Sequence, residues 1–202
     1  MPAITSRKEI IFREAARLFK EKGYNSSTLR GLANKAGIKG GSIYHHYSSK
    51  QEILYLIMEY TMTNLINRVQ LAIKDETDPL QKLRKAITFH IEYHTIDTNE
   101  TYVTDAELRS LDVENYKKIV KMRNTYEKIY RDILLEGNAT EQMRIDNIKT
   151  ASRALLQMCT GVSYWFNPNG KQPISQIAEN YVELFLWGIC GKTGAVQAAL
   201  QN

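Results

Sequence analysis

The chain has 202 residues, of which 43% are hydrophobic and 24% are charged. These proportions are typical of folded globular proteins and exclude a wholly disordered chain. The length allows one ordinary domain, or a small module joined to a larger unit with its own core. No stretch approaches the roughly 18 uninterrupted apolar residues of a membrane span, and the N-terminus lacks the apolar run of a secretory signal, so we expect a cytoplasmic protein.

The net charge of +5 is unevenly distributed along the chain. Residues 1–50 contain 10 Lys and Arg, 3 Glu and no Asp, a balance of +7, whereas residues 51–202 contain 17 basic and 19 acidic side chains, a balance of −2. Positive charge concentrated in the first quarter of a chain favours contact with a polyanion such as nucleic acid. A solvated basic face would give the same count, so charge alone leaves both interpretations open.

Apolar residues at three- and four-residue spacing predict three short helices in the first 50 residues. These helices cover residues 6–22, 28–35 and 39–47. Gly37 follows the second helix, where a left-handed turn residue is needed. Two short helices joined by a tight glycine turn form a helix-turn-helix, the commonest device for placing a helix in the major groove of DNA.

Longer helices are predicted for the remainder. Ser49 and Glu52 fit a capping box for a long helix that bridges two units, and Pro79 is suited to the first turn of the next helix. Glycine, asparagine and proline clusters predict breaks at 137–138 and at 167–170. One predicted helix starts at Pro79 and is interrupted by the polar stretch 97–101. The others cover 50–74, 103–111, 113–136, 142–166 and 174–190. No strand-like alternation persists, so the predicted fold class is all-α, with about nine helices.

The sequence contains no constellation of an enzyme or a metal site. There is no phosphate-binding glycine loop, no nucleophile elbow and no zinc-protease motif. His90 and His94 are four residues apart on a predicted helix, but they lack a third ligand nearby, so we interpret them as half-buried polar residues. Cys159 and Cys190 have no partner at metal-ligand spacing and are interpreted as buried apolar residues. We therefore predict a non-enzymatic protein without cofactor or metal.

Residues 28–54, TLRGLANKAGIKGGSIYHHYSSKQEIL, carry a specific resemblance. The spacing of their apolar, glycine, tyrosine and lysine positions, together with Ala15-Ala16, Leu18-Phe19 and Gly23-Tyr24 upstream, resembles the DNA-binding signature of the TetR family of bacterial transcription regulators. The resemblance implies a DNA-binding domain over 1–50 and a ligand-binding and dimerisation domain over 51–202. It also implies a homodimer whose partners are an operator DNA and a small-molecule effector, and it favours a repressor.

Within this signature, the residues with access to DNA divide by chemistry. Phosphate contacts fix the register on the duplex, whereas contacts to base edges read the sequence. Arg30 and Lys39 have long donors that can pair with guanine, and Ser42 is a shorter reader, although a phosphate contact remains the alternative for each basic residue. We assign phosphate contacts to Thr28, Tyr44, His45 and Lys50, and we include Gly40 and Gly41 in the DNA-facing segment.

Lys39 and Gly40 depart from the usual family pattern, in which a small hydroxyl residue and a polar residue occupy these positions. Gly40 offers no side chain to DNA, and each of the consecutive glycines weakens a helix by roughly 1 kcal/mol relative to alanine. We therefore expect sequence reading to depend on Arg30 and Lys39, and full ordering of the third helix to require DNA.

A second resemblance covers the C-terminal part of the chain. This part is similar to a TetR branch that includes acyl-CoA-responsive regulators of fatty-acid and steroid breakdown. The positions that carry the similarity are Glu107-Leu108-Arg109 through Arg123 and Tyr126 to Gly137, then Asp146, residues 165–170, Ile177-Ala178, Tyr181 and Gly188. This resemblance implies an acyl-CoA thioester as effector, with an apolar tunnel for the acyl chain and basic groups for the coenzyme phosphates. The tunnel candidates are Phe89, Tyr93, Tyr102, Met122, Tyr126 and Met158, and the basic candidates are Arg109 and Arg123.

Other interpretations of these residues stay open. Each aromatic or methionine candidate is equally compatible with plain core packing, and each arginine with an ion pair to a neighbouring acidic residue. The alternative function is a TetR-like DNA-binding protein that answers a protein partner or acts architecturally, without a small-molecule ligand.

Overall fold

The computed structural model describes residues 6–96 and 98–189, and these residues form helices without a strand among them. The all-α fold class predicted from the sequence is confirmed. The eight α-helices of this part of the chain are α1 (Arg7–Lys22), α2 (Leu29–Lys35), α3 (Lys50–Ile73), α4 (Pro79–Ile96), α5 (Thr98–Ala106), α6 (Val113–Ala139), α7 (Ile148–Trp165) and α8 (Ile174–Ile189). Two 3-10 helices, Gly40–His45 and Leu108–Ser110, complete the set.

The starts of the early helices follow the capping residues. The Ser6 side chain accepts a hydrogen bond from Glu9 N at the start of α1, and the Thr28 side chain accepts one from Gly31 N at the start of α2. Ser49 Oγ accepts from Glu52 N at 3.0 Å, as expected for a capping box, but the Glu52 carboxylate accepts from Ser48 N instead of closing the box on Ser49. Side chains that satisfy free backbone N–H groups fix where these helices begin.

Three boundary predictions were wrong. Helix α5 starts at Thr98, within the stretch expected to interrupt the helices. Helix α6 continues through Gly137 to Ala139, and Gly137 permits close packing there, because an added Cβ would clash with the Met143 side chain. Helix α7 starts at Ile148 rather than near residue 142, since Asn147 caps it by accepting from Thr150 N. Residues between these two helices form a turn in which Glu141 has φ 58°.

The described chain divides into two compact units. Unit 1 contains residues 6–64 and 98–123, and unit 2 contains residues 65–96 and 124–189. In unit 1, α1 packs against α2 and α5 around fully buried Ile11, Phe19, Leu32 and Ile43. In unit 2, α4 packs against α7 and α8 around a second buried core. The fully buried members of that core include Leu83, Ile87, Ile91, Tyr130, Leu134, Leu155, Val162 and Val182.

Cys159 is a free, buried cysteine, as predicted, and burial raises the pKa of its thiol to about 12. Cys190 lies outside the described residues. No helix in the described ranges is long and apolar enough to cross a membrane, and the same ranges contain no group of three or more potential metal ligands.

Candidate nucleic-acid interface

The turn between α2 and the 3-10 helix Gly40–His45 is built around Gly37. Gly37 has φ 67°, a left-handed conformation that glycine adopts without the penalty of a Cβ. The Ile38 amide donates to Ala33 O at 3.0 Å and closes the end of α2. This turn holds α2 and the 3-10 helix together, so the chain forms the predicted helix-turn-helix, with the third helix shorter and more tightly wound than an α-helix.

The 3-10 helix is anchored from one side. Ile43 is fully buried, and Tyr47, just beyond the helix, is 3% exposed and donates its hydroxyl to Lys8 O at 2.9 Å. The opposite side faces solvent, where Tyr44 is 62% exposed and His45 is also exposed. An exposed tyrosine near basic residues is suited to a phosphate or a sugar contact, because its ring is apolar and its hydroxyl is a donor.

Arg30 and Lys39 are both exposed and extend from adjoining elements. The Arg30 stem runs past Gly40, where an added Cβ would lie 3.7 Å from Arg30 Cγ. A surface hollow of about 410 Å³ is lined by Arg30, Gly40, Gly41 and Tyr44. Four of the predicted DNA-facing residues therefore line one continuous depression. We refer to the full predicted set as the recognition surface: Thr28, Arg30, Lys39, Gly40, Gly41, Ser42, Tyr44, His45 and Lys50.

Two members of this set are engaged within the protein. Thr28 Oγ1 accepts from Gly31 N at 3.0 Å as the helix cap, which leaves its hydroxyl proton available. Lys50 Nζ donates to Tyr24 O and Ser27 O, each at 2.8 Å, and lies 4.1 Å from the centroid of the Tyr24 ring. Burial lowers the pKa of this ammonium. An ammonium has three donors, so one remains for a phosphate, and Lys50 also holds the loop between α1 and α2.

Sequence patterns missed two residues that support this surface. Glu107 Oε1 accepts from Tyr24 N at 2.8 Å, and Gln51 Nε2 donates to Ser110 O at 2.6 Å. These partners are separated by 83 and 59 residues in the chain. No local spacing indicates contacts over such separations, although Gln51 directly follows a residue of the DNA-binding signature.

The predicted effector residues of unit 2 range from buried to exposed. Phe89 is half-buried and Tyr93 is 4% exposed, and the Arg68 guanidinium lies 5.8 and 5.4 Å from their ring centroids. Tyr126 is 5% exposed, whereas Met158 is 42% exposed on α7. Exposure of this extent places Met158 on a helix face rather than in the core of unit 2.

The predicted effector residues of unit 1 differ in their surroundings. Tyr102 is 37% exposed beside Lys20, whose Nζ lies 5.7 Å from its ring centroid. Arg123 donates to Thr104 O and lies 3.3 Å from an Asp105 carboxylate oxygen, so the ion pair considered from the sequence is present. Met122 is half-buried and Arg109 is exposed.

Unit 2 contains a run of hydrogen bonds that the sequence did not predict, which we call the buried polar chain. His90 Nε2 lies 2.9 Å from Thr160 Oγ1, and His90 Nδ1 lies 3.0 Å from Tyr126 Oη. The Tyr126 hydroxyl lies 3.0 Å from that of Tyr130, which donates to Ala86 O at 2.9 Å. Burial, and secondarily the neighbouring His94, lower the pKa of His90 well below its ordinary value.

The helix-turn-helix with its exposed arginine, lysine and tyrosine side chains defines a DNA-binding protein, and comparison with known proteins identifies the family. Residues 11–55 match the family of bacterial regulatory proteins named for tetR, and residues 76–189 match the tetracyclin repressor-like C-terminal domain. The chain belongs to the TetR family of transcriptional regulators. The family resemblance inferred from the sequence is confirmed.

Relatives agree with the proposed branch. The chain is 28% identical over 193 residues to the transcriptional repressor KstR2 of Mycolicibacterium smegmatis, covering 94% of this chain and 93% of that protein. It is 28% identical over 183 residues to the fatty acid metabolism regulator protein of Bacillus subtilis, covering 88% and 93%. The structure of AibR in complex with isovaleryl coenzyme A and operator DNA shares the fold, with a TM-score of 0.83, 23% identity and coverage of 89% and 97%.

Proposed function

We propose that this TetR-type regulator represses transcription by binding a palindromic operator as a homodimer, and that an acyl-CoA thioester releases it. The observation that carries the DNA-binding part is the recognition surface, where Arg30, Gly40, Gly41 and Tyr44 line one exposed hollow. The KstR2 relative is named a repressor, which supports the sign of regulation. We propose a regulatory role in the cytoplasm, where operator DNA lies, and no enzymatic one.

The proposed division of labour on DNA follows the exposed groups. Arg30 and Lys39 read base edges, since their donors are exposed and they form no ion pair among the described residues. Ser42 is a shorter reader. Tyr44, His45 and the third donor of Lys50 contact phosphates, as does the hydroxyl of Thr28. Gly40 and Gly41 leave the backbone open to close approach by the duplex.

A homodimer is supported by the apolar surface of the last two helices. Trp165 at the end of α7 is 54% exposed and Leu184 on α8 is 56% exposed. Large apolar side chains exposed on the surface are candidates for an interaction site. Met158 and Tyr164 are further exposed apolar side chains on α7, at 42% and 63% exposure. Two-fold pairing places two recognition helices roughly 34 Å or more apart, the arrangement that a palindrome requires.

A charge introduced into this apolar surface tests the dimer. Leu184→Glu should convert the dimer to a monomer in analytical ultracentrifugation and weaken operator binding at least about tenfold, because each half-site then binds alone. Leu71→Glu is the matched control: Leu71 is 71% exposed on α3, a helix that is not part of the proposed dimer surface, and the substitution should leave the mass unchanged. A Leu184→Glu protein that stays dimeric would place the interface elsewhere.

The acyl-CoA proposal is supported by relatives: AibR was solved with isovaleryl coenzyme A, and the Bacillus subtilis relative is named for fatty acid metabolism. Operator affinity should be measured by fluorescence anisotropy with a series of acyl-CoA thioesters from short to long chains, with free coenzyme A and free fatty acids as controls. At least one thioester should weaken the complex at micromolar concentration while the controls do not. If no thioester acts, control by a protein partner becomes the better account.

A further inference from the structure

The carboxylate of Glu107 connects two segments of unit 1. Its Oε1 accepts from the Tyr24 backbone N at 2.8 Å, in the loop between α1 and α2. Its Oε2 accepts from Ser110 Oγ at 2.6 Å, which fixes the carboxylate within its own turn. Both carboxylate oxygens therefore have partners, and one of these belongs to the helix-turn-helix region.

The loop that Glu107 contacts is the same loop that holds Lys50. Lys50 Nζ donates to the carbonyls of Tyr24 and Ser27, and the Tyr24 ring lies beneath the ammonium. The Tyr24 backbone is thus bonded to two opposite charges: its N–H donates to the Glu107 carboxylate, and its carbonyl accepts from the Lys50 ammonium. Burial lowers the pKa of Lys50, and the charge of Glu107 acts against this effect.

Neighbouring contacts connect the residue after Lys50 to the segment that contains Glu107. Gln51, next to Lys50, donates to Ser110 O at 2.6 Å and accepts from Asp112 N at 3.1 Å. Glu107, Ser110 and Asp112 all lie in the region that matches the C-terminal domain of the family, whereas Tyr24, Lys50 and Gln51 lie in the region that matches the DNA-binding domain. The segment after α5 therefore reaches directly to the residues that place Lys50.

We infer that Glu107 is a positioning residue for operator binding: by holding the Tyr24 backbone with its charged carboxylate, it fixes Lys50 with one donor free for a DNA phosphate. The inference rests on the proposed phosphate contact of Lys50. It gives a residue of the region that matches the C-terminal domain a role in DNA binding that acts through Lys50.

The test measures operator affinity against salt concentration for Glu107→Ala, Glu107→Gln and Lys50→Ala. The slope of log affinity against log salt counts phosphate contacts, about 0.9 per contact, so loss of one contact in each half of a dimer should reduce it by about 2. We expect Lys50→Ala and Glu107→Ala to show this reduction with an affinity loss of about tenfold at about 0.1 M salt. Glu107→Gln, which keeps an acceptor for Tyr24 N but loses the charge, should show a smaller reduction of the same kind.

A fold defect alone would lower the active fraction without changing the slope, and stoichiometric titration separates the two effects. The Glu107→Ala, Lys50→Ala double variant should lose no more than about twofold beyond either single variant, because the two residues act on one contact. Glu114→Ala is the control, since Glu114 is an exposed carboxylate at the start of α6 whose ion pair with Lys118 is long, at 3.9 Å.

Two outcomes would overturn separate parts of the account. An unchanged slope in Lys50→Ala would show that Lys50 makes no phosphate contact, and the inference would lose its basis. A reduced slope in Lys50→Ala together with an unchanged slope in both Glu107 variants, or fully additive losses in the double variant, leaves the contact in place and refutes the positioning role of Glu107. Should Glu107→Ala fail to fold, the slope of Glu107→Gln decides the question.

Discussion

The recognition surface of unit 1 and the buried polar chain of unit 2 use polar side chains in opposite ways. Arg30, Lys39 and Tyr44 face solvent, so their hydrogen-bonding groups are available to another molecule. His90 and Tyr130 are buried, and their polar atoms are hydrogen-bonded to side chains and to a backbone carbonyl. The contrast teaches which substitutions should alter DNA binding and which should alter folding, since a buried polar group is costly when its partner is lost.

The largest effect is expected from Tyr130→Ala in the buried polar chain. Tyr130 is fully buried on α6, and truncation leaves a cavity and removes the donor to Ala86 O, which should lower the free energy of unfolding by about 3–5 kcal/mol. Tyr116→Ala, on the same helix but 40% exposed, is the control and should cost no more than about 0.5 kcal/mol. Denaturant titration measures both, and equal losses would contradict the contrast.

Arg30→Ala should have the next largest effect, and on DNA binding alone. Loss of a donor to a base edge should weaken operator binding by about 1–3 kcal/mol and affect random DNA less, with the free energy of unfolding unchanged. Competition binding with operator and random duplexes measures the discrimination. Arg144→Ala, which removes an exposed arginine of unit 2, should change neither. Equal losses on both duplexes would make Arg30 a phosphate contact.

His90 predicts a pH dependence of stability with a definite sign. The fold lowers the pKa of His90 well below 6.5, so below about pH 6.5 the unfolded chain binds a proton that the folded chain does not. The free energy of unfolding should therefore fall with decreasing pH, by at most about 1.4 kcal/mol per pH unit for this group, until the folded-state pKa is reached. Above about pH 6.5 the contribution is complete.

The measurement compares the wild type with His90→Gln by denaturant titration from about pH 7.5 to about pH 5.5. The difference in unfolding free energy between the two proteins should shrink as the pH falls. Parallel curves for His90→Gln would show that this histidine is not held neutral by the fold.

The smallest effect concerns the glycines of the 3-10 helix. A Cβ at Gly41 would meet nothing within 4 Å and the residue has no positive φ, so Gly41→Ala should stabilise the protein by about 0.4–1 kcal/mol by reducing the freedom of the unfolded chain. Gly37→Ala also meets no atom within 4 Å but must adopt φ 67°, so it should destabilise by about 1–2 kcal/mol. Thermal unfolding distinguishes the signs, and a destabilised Gly41→Ala would mean that the fold itself needs this glycine.

Local signals predicted the parts of the structure that depend on neighbours in the chain. Ser6, Thr28 and Ser49 mark helix starts because a cap acts within one turn, and Gly37 marks the turn because its conformation is a local requirement. Gly137 was misread as a helix end, since its function is to admit the Met143 side chain, a contact that no spacing rule contains.

The candidate site divides in the same way. The exposed residues of the helix-turn-helix followed from a signature of closely spaced positions, whereas Glu107 and the buried polar chain depend on partners from distant segments. The predicted division into domains at residue 50 is a functional one and stays a prediction. By contacts, residues 98–123 group with the helix-turn-helix region in unit 1.

The most direct test of the central claim is selection of DNA from a random duplex pool by the purified protein, followed by sequencing. The account predicts enrichment of an inverted repeat whose half-sites are about one helical turn or more apart, and loss of that enrichment with Arg30→Ala and Lys39→Ala combined. Failure to enrich any sequence, or enrichment that survives both substitutions, would contradict a sequence-reading function for the recognition surface.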